Sequence, residues 1–458
     1  MKKYILFLLL LIPFNVYAEE ASNISKNVTY KYQNQVTTKL NDDNVKTNIK
    51  ITANSDLVIT SSESNIKHIY IIYEISSKNG VLTTNNNEEK SLGKDGFLHE
   101  YIKLDNISNE VKLNYNEDAT ISEIRVYTDG DIPSDVQIWK KENSADLMIF
   151  STHADDEQLF FAGVMPTYIN KGKKVHVVYF ARHDVGAYYA PSRLHEQLDG
   201  LWTLGVTDYP TFGIIPDAYS ESIDVARSQM NSAGFTDDDV IKFDVREIRK
   251  YKPKVVLGHD EEGEYGHGQH RLNIYTLKEA INKSEDSSYV VDDLEAYSVD
   301  KFYIHLYNYG NDTVLNYDEP LDKYNGKTAY EVSKEGYKKH LSQQYTWFTD
   351  WLNGKNNSYT SATQITKYNP AHWGLYKSNV GEDINKNDLF ENIKVEEEKK
   401  EEDKNNKVVN IVKKNIKKDG KNIKKRMVKL VKKYKHIIIP VLISILTLLI
   451  ILVIKKRK

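Results

Sequence analysis

The sequence predicts an α/β protein: a three-layer domain with a mostly parallel sheet, preceded by an antiparallel β-sandwich and followed by a basic stalk and one transmembrane helix. Three observations carry that expectation. Residues 28–140 hold short β-branched and aromatic runs separated by Asn, Ser, Asp and Gly clusters, as in an antiparallel sandwich. From about residue 141 short apolar strands alternate with helical segments, as in a parallel sheet with helices on its faces. Residues 437–454 carry no charge, and at ~1.5 Å per residue eighteen residues of helix cover about 27 Å, close to one hydrocarbon core.

Composition narrows the classes. With 458 residues and 40% apolar content the chain has room for two or three domains and a sizeable core. The formal net charge of −3 hides a split. Residues 404–458 hold eighteen Lys or Arg and one acid, Asp419, and Lys2 and Lys3 add two more cations, so residues 19–403 carry the remainder, −22. A body that acidic excludes a nucleic-acid partner, which requires a basic surface. The absence of cysteine excludes disulfides, Cys-type zinc sites, iron–sulfur clusters and thiol nucleophiles.

Taken in order, residues 1–18 read as a secretory signal peptide: Lys2 and Lys3, an apolar run, then Val16-Tyr17-Ala18 as a cleavage pattern, with cleavage expected after Ala18. Residues 27–140 form the expected jelly-roll-like sandwich, with strands at 48–52, 56–60, 66–75, 97–104 and 110–115. The run 121–130 resembles the last strand of galactose-binding-like jelly rolls. No ligand constellation is visible there, and a sugar-binding and a spacer role both stand open.

Residues 141–392 form the second domain. Strands are expected at 146–150, 174–180, 254–258 and 301–307. Helices are expected at 157–170, 192–205, 243–251, 271–283 and 330–345, the second with Leu194, Leu198, Leu201 and Leu204 on one stripe. This alternation is that of a Rossmann-like fold, whose ligands sit at the carboxyl ends of the strands. Residues 393–435 are a charged linker and basic stalk with fourteen Lys or Arg between 404 and 435. Ile423, Met427, Leu430 and Tyr434 fall on one helical face there. Such a segment either lies on an anionic membrane or wall polymer or is a solvated linker. The span at 437–454 and the cationic tail at 455–458 give a single-pass cell-membrane protein, its body extracellular and its C-terminus cytoplasmic.

Two clusters fall at strand ends. His153-Ala154-Asp155-Asp156-Glu157 follows the first strand of the second domain, and Tyr265-Gly266-His267-Gly268-Gln269-His270 follows the strand at 254–258. Each opens a helix, so both can face one crevice. Imidazole and carboxylate are the zinc ligands left to a chain without cysteine, and three of them leave a position for water. Either cluster alone has a plain structural reading, since acidic residues at a helix start also favour the dipole. His259 ends a strand beside the site and can line it. His176 and His305 read as core. Trp347, Trp351 and Trp373 read either as a sugar-stacking wall or as core packing.

These residues resemble the N-acetylglucosaminyl-phosphatidylinositol de-N-acetylase (PIG-L, LmbE-like) family, whose motifs are usually HPDDE and GHPDH. Arg193 to Glu196 with Leu204-Gly205 is similar to the family's RxxE…LG helix, and His340 to Gln343 to its HxSQ element. The resemblance spans roughly 144–350. It implies a zinc-dependent N-deacetylase acting on an N-acetylglucosamine-type sugar, here in a cell-surface glycan or glycolipid. The alternative is a non-catalytic surface glycan-binding or adhesion protein with a degenerate metal site. It implies His153, Asp156 and His270 as Zn2+ ligands and Asp155 as general base. His267 would protonate or stabilise, Tyr265 would hold the oxyanion, and Arg193 and His340 would contact substrate. Neighbouring Asp155 and Asp156 must point apart, which suits one ligand and one base. Ala154 departs from the usual proline, and Gly268-Gln269 from Pro-Asp. That last change removes a carboxylate expected to orient His267.

Overall fold

The alternation in the first third of the chain resolves into two antiparallel sheets facing one another. The computed structural model describes residues 19–63, 65–185 and 190–394. One sheet has the order β2-β1-β4-β9-β6-β7, from β1 (Thr29–Tyr32), β2 (Gln35–Thr37), β4 (Asp56–Thr60), β6 (Gly80–Thr84), β7 (Glu89–Leu92) and β9 (Glu110–Tyr115). The other has the order β3-β10-β5-β8, from β3 (Ile49–Ile51), β5 (Ile66–Tyr73), β8 (His99–Ser108) and β10 (Ala119–Tyr127). Register puts Leu57 opposite Leu113 and Ile59 opposite Val111, all four with no exposed surface. A fully buried aliphatic side chain contributes roughly 1.5–3 kcal/mol, so pairs like these hold the sandwich closed.

The second sheet is covered on both faces. Ile69, Ile71 and Tyr73 face the sandwich core, while Tyr70 and Ile72 pack with Ala21, Tyr127 and Val136. That outer face lies against the α/β half. Tyr70 Oη meets His99 Nδ1 at 2.8 Å, His99 Nε2 meets His195 Nδ1 at 2.8 Å, and His195 Nε2 meets the Glu74 carbonyl at 3.1 Å. Gln137 donates to Asp199, Leu98 N–H donates to Tyr209 Oη, and Trp139 packs on Trp202 and Tyr209. One continuous apolar core contains residues of both halves, so the sandwich is fixed to its neighbour.

The α/β half is built on a six-stranded sheet of order β12-β11-β15-β16-β18-β17. Strands β11 (Leu147–Ser151), β12 (Val175–Tyr179), β15 (Val255–Gly258) and β16 (Lys301–His305) are parallel. At one edge β18 (His372–Ser378) runs antiparallel between β16 and β17 (Thr313–Val314). A separate parallel pair, β13 (Ala181–Arg182) and β14 (Ile215–Pro216), extends beyond β12. Leu147 and Ile149 point to one face and Met148 and Phe150 to the other, into two distinct apolar clusters. The first contains residues of α2 (Val164–Asn170), α3 (Pro191–Thr203) and α7 (Ala329–Tyr337), the second of α5 (Asp237–Tyr251) and α6 (Gly268–Glu285), which makes three layers. The chain leaves β11 to one side for β12 and returns on its other side for β15. A crevice therefore opens at the carboxyl end of β11.

Several elements differ from expectation. The helix expected over 157–170 is two, α1 (Asp156–Leu159) and α2, with residues 160–163 between them. The one expected from 243 begins at Asp237, because Thr236 and Asp239 form a reciprocal capping box. The one expected over 330–345 stops at Tyr337, before a 3₁₀ turn at Leu341–Gln343 and α8 (Trp347–Asn353). Helix α4 (Ile223–Ser232) was not anticipated. Among the described residues no helix is long and apolar enough to cross a membrane. The expected signal peptide, the stalk beyond its first two residues, the span and the tail lie outside the described residues.

Candidate active site

Two loops meet in the crevice. The first leaves β11 and turns at Asp155, whose φ of 149° and ψ of −28° are rare for a residue with a side chain. This turn sends the adjacent carboxylates apart. Asp156 accepts from the His153 backbone N–H at 2.8 Å and lies 3.0 Å from His153 Nδ1. Asp155 instead pairs with Arg193 at 3.0 Å. The second loop leaves β15 and ends where His267 caps α6, its Nδ1 accepting from Gln269 N–H at 3.1 Å. One residue past Gln269, His270 Nε2 lies 3.0 Å from Asp156 Oδ2 and 3.2 Å from His153 Nδ1.

Those three atoms form a triangle with sides of 3.0–3.2 Å. Its corners lie about 1.8 Å from its centre, so one ion can sit ~2.0–2.1 Å from all three, the zinc–nitrogen distance. His153, Asp156 and His270 are each more than nine-tenths buried, and His267 and His259 also stand within reach of a metal in this cluster. The far sides of the rings are held as well. Gln269 Oε1 meets His153 Nε2 at 2.8 Å, and the Glu264 carboxylate meets His270 Nδ1 at 2.7 Å. Such partners fix tautomer and orientation of a metal-binding imidazole.

Residues 148–281 match the family model described as GlcNAc-PI de-N-acetylase, PIG-L. The chain carries a PIG-L domain. Enzymes of this family are deacetylases, hydrolases of N-acetyl amides. No curated protein sequence matches the chain. Among solved structures, it is similar to N,N'-diacetylchitobiose deacetylase from Pyrococcus horikoshii at 14% identity, over 53% of this chain and 88% of that one, with a TM-score of 0.36. It is similar to the conserved protein TT1542 from Thermus thermophilus at 12% identity, over 51% and 94%, with a TM-score of 0.35. A third likeness, at 10% identity over 23% and 96% with a TM-score of 0.19, is to CBM32-1 from a family 31 glycoside hydrolase of Clostridium perfringens.

The electrostatics of the PIG-L domain's crevice favour a positive charge beside Asp156. Burial opposes charge on His270, yet Asp156 and Glu264 push it up to about 10. Burial would raise Asp156, but His270 and His153 hold its carboxyl well below the usual range. A metal ion would take the place of that proton. Burial, opposed by Arg193, pushes Asp155 up to about 7. Burial and the neighbouring His153 and His270 push His267 down to about 2. His267 is therefore neutral, and because its Nδ1 accepts a hydrogen bond, its proton is on Nε2.

Each expected site residue has a definite place. His153, Asp155, Asp156, His267 and His270 come together in the crevice. Tyr265 is half-buried beside His267 and His270, its phenol held protonated by burial and the nearby carboxylates. Arg193 grips the Ala154 carbonyl and Asp155, so it acts on the loop itself. His340 is not at the crevice surface. It is fully buried, its Nε2 2.7 Å from Glu157, whose other oxygen accepts from Asp155 N–H. The residue expected to contact substrate thus stands behind the first loop, against Glu157. The side chain of Gln269 serves His153, whereas only its backbone orients His267.

Three residues escaped the sequence reading. Glu264 lies under His270. Asp217 lies 3.1 Å from His183 Nδ1 and 3.6 Å from His153 Nε2. His183 accepts from Ala154 N–H at 3.0 Å. Only the acid in Glu-Tyr-Gly-His offered a signal. Of the tryptophans, Trp373 is buried in the core while Trp347 is 52% exposed.

Proposed function

We propose that the chain is a zinc-dependent N-deacetylase that hydrolyses the acetamide of an N-acetylglucosamine-type sugar in a cell-surface glycan or glycolipid. The observation that carries this reading is the triangle of His153, Asp156 and His270 with Asp155 turned beside it. When bound, zinc would supply a water acidified to near neutral pH and a Lewis-acid contact for the amide oxygen. Asp155 takes the proton of the attacking water and delivers it to the departing amine. A carboxyl that titrates near 7 suits both transfers. Arg193 keeps that carboxyl in place. The neutral His267 Nε2–H and the Tyr265 phenol donate to the developing oxyanion. Trp347, with its ring centre 5.9 Å from that of Tyr265, offers an exposed face on which a sugar can stack. The zinc-loaded chain is expected to release acetate from N-acetylglucosamine oligomers or glycolipids and leave a free amine. Zinc-replete protein that releases none from a panel of N-acetylated glycans favours the glycan-binding alternative.

The same proposal places the domain outside the cell. The leader-like segment 1–18, the apolar run 437–454 and the cationic tail support that topology, with the basic stretch 404–435 against an anionic membrane or wall polymer. Protease added to intact cells is expected to digest the body and spare the tail. A body that survives on accessible cells reverses the orientation.

A further inference from the structure

The Glu264 carboxylate is wholly buried and sits among three histidines. Its oxygens lie 3.0 Å from His259 Nδ1, 2.7 Å from His270 Nδ1 and 3.0 Å from His305 Nδ1, and it also accepts from Asp260 N–H at 3.0 Å. An ionised carboxylate only accepts, so each of these nitrogens carries its proton toward Glu264. For His270 that leaves Nε2, whose proton a metal ion would replace, facing Asp156 and His153. For His259 it leaves the Nε2 lone pair facing the same place. His259 has no exposed surface, and this nitrogen has no hydrogen-bond partner among the described residues. An unmatched buried polar atom costs about 1–3 kcal/mol, and here it points at an electron-rich cluster.

His259 Nε2 is 3.9 Å from Asp156 Oδ2. Two atoms each ~2.0–2.2 Å from one ion can lie up to ~4.4 Å apart, so this spacing admits a shared metal. It is too long for a direct hydrogen bond. Asp156, His259 and His270 indeed form one of two groups among the described residues whose ligand atoms lie within 4.8 Å of one another. We propose that His259 is a fourth protein ligand of the metal centre, joining His153, Asp156 and His270, with Glu264 locking the two imidazoles of the second loop in ligating orientation. The inference rests on the reading that the site holds a metal. It gives the ion three imidazoles in place of two and leaves water to enter as a fifth ligand.

X-ray absorption on the zinc-loaded full chain counts the imidazoles without altering the protein. Three are expected in the unsubstituted chain, two in His259→Ala, and three still in His267→Ala. His259→Ala should also weaken zinc binding about tenfold or more, and added imidazole should restore it by filling the vacated position. Two imidazoles in the unsubstituted chain overturn the proposal, as does a His259→Ala spectrum identical to the parent's. If His259→Ala fails to fold, the counts in the unsubstituted chain and in His267→Ala decide together: three in both supports the proposal, and two in either overturns it. A chain that binds zinc with two imidazoles and releases acetate overturns only the His259 assignment. One that binds no zinc overturns the deacetylase reading as well.

Discussion

At the scale of single residues the site turns on two neighbours that share a charge type and differ in surroundings. Asp156 is held ionised by His270 and His153, whereas burial, opposed by Arg193, pushes Asp155 up to about 7. The first suits a metal and the second a proton in transit. Asp155→Asn should keep zinc and lose about 10²–10⁴-fold in turnover, which metal analysis and acetate release on one preparation would check. Unchanged turnover would remove Asp155 from the mechanism. The sign of its pH effect follows from the same shift. Only the carboxylate accepts a proton, so kcat/KM should fall as pH drops through the Asp155 pKa, and that limb should vanish in Asp155→Asn. The adjacent metal favours the carboxylate, so the limb should lie below 7 in the loaded enzyme.

At the scale of elements, the two halves meet through a chain of neutral donors and acceptors from Tyr70 through His99 and His195 to the Glu74 carbonyl. Burial pushes His195 down to about 4, and burial with the neighbouring His195 holds His99 well below its ordinary value. A histidine whose folded pKa is depressed resists protonation that the unfolded chain accepts. Stability should therefore fall as pH drops from about 6.5 toward 4. A depression of that size in His195 is worth roughly 2–4 kcal/mol by the bottom of the window. His195→Gln should flatten that slope in denaturant melts taken across pH; an unaltered slope would mean that the seam does not sense protons. The elements themselves were partly legible. Asp56–Thr60 and Glu110–Tyr115 have the bounds expected of them, because alternation on a half-buried strand is local. Strands Gly80–Thr84 and Glu89–Leu92 were missed, since their polar residues pair with β9 and each other only through tertiary contact. The break in the helix expected at 157–170 comes where Gly163 lies against the Tyr317 ring, a contact 154 residues away that no local pattern announces.

For the molecule as a whole, the grouping of His153, Asp156 and His270 was legible because the first two follow the end of β11 and the third opens the helix after β15, and a parallel sheet gathers such loops at one crevice. The residues that set their geometry were not. Asp217 follows the small strand pair, His183 follows β13, and Glu264 gains its meaning only when His305 arrives from β16. The sandwich was legible as a sandwich, but its attachment to α3 through His195 and Asp199 was not, because those residues read as the polar side of a helix. What joins these scales is the claim that His153, Asp156 and His270 are among the side chains that hold one metal ion while Asp155 is not. The most direct test is the zinc content of the full chain beside that of His153→Ala, Asp156→Ala, His270→Ala and Asp155→Asn, with folding confirmed for each. One zinc per chain in the parent and in Asp155→Asn, with most of it gone from the other three, is the expected result; full zinc in all three ligand variants would contradict it.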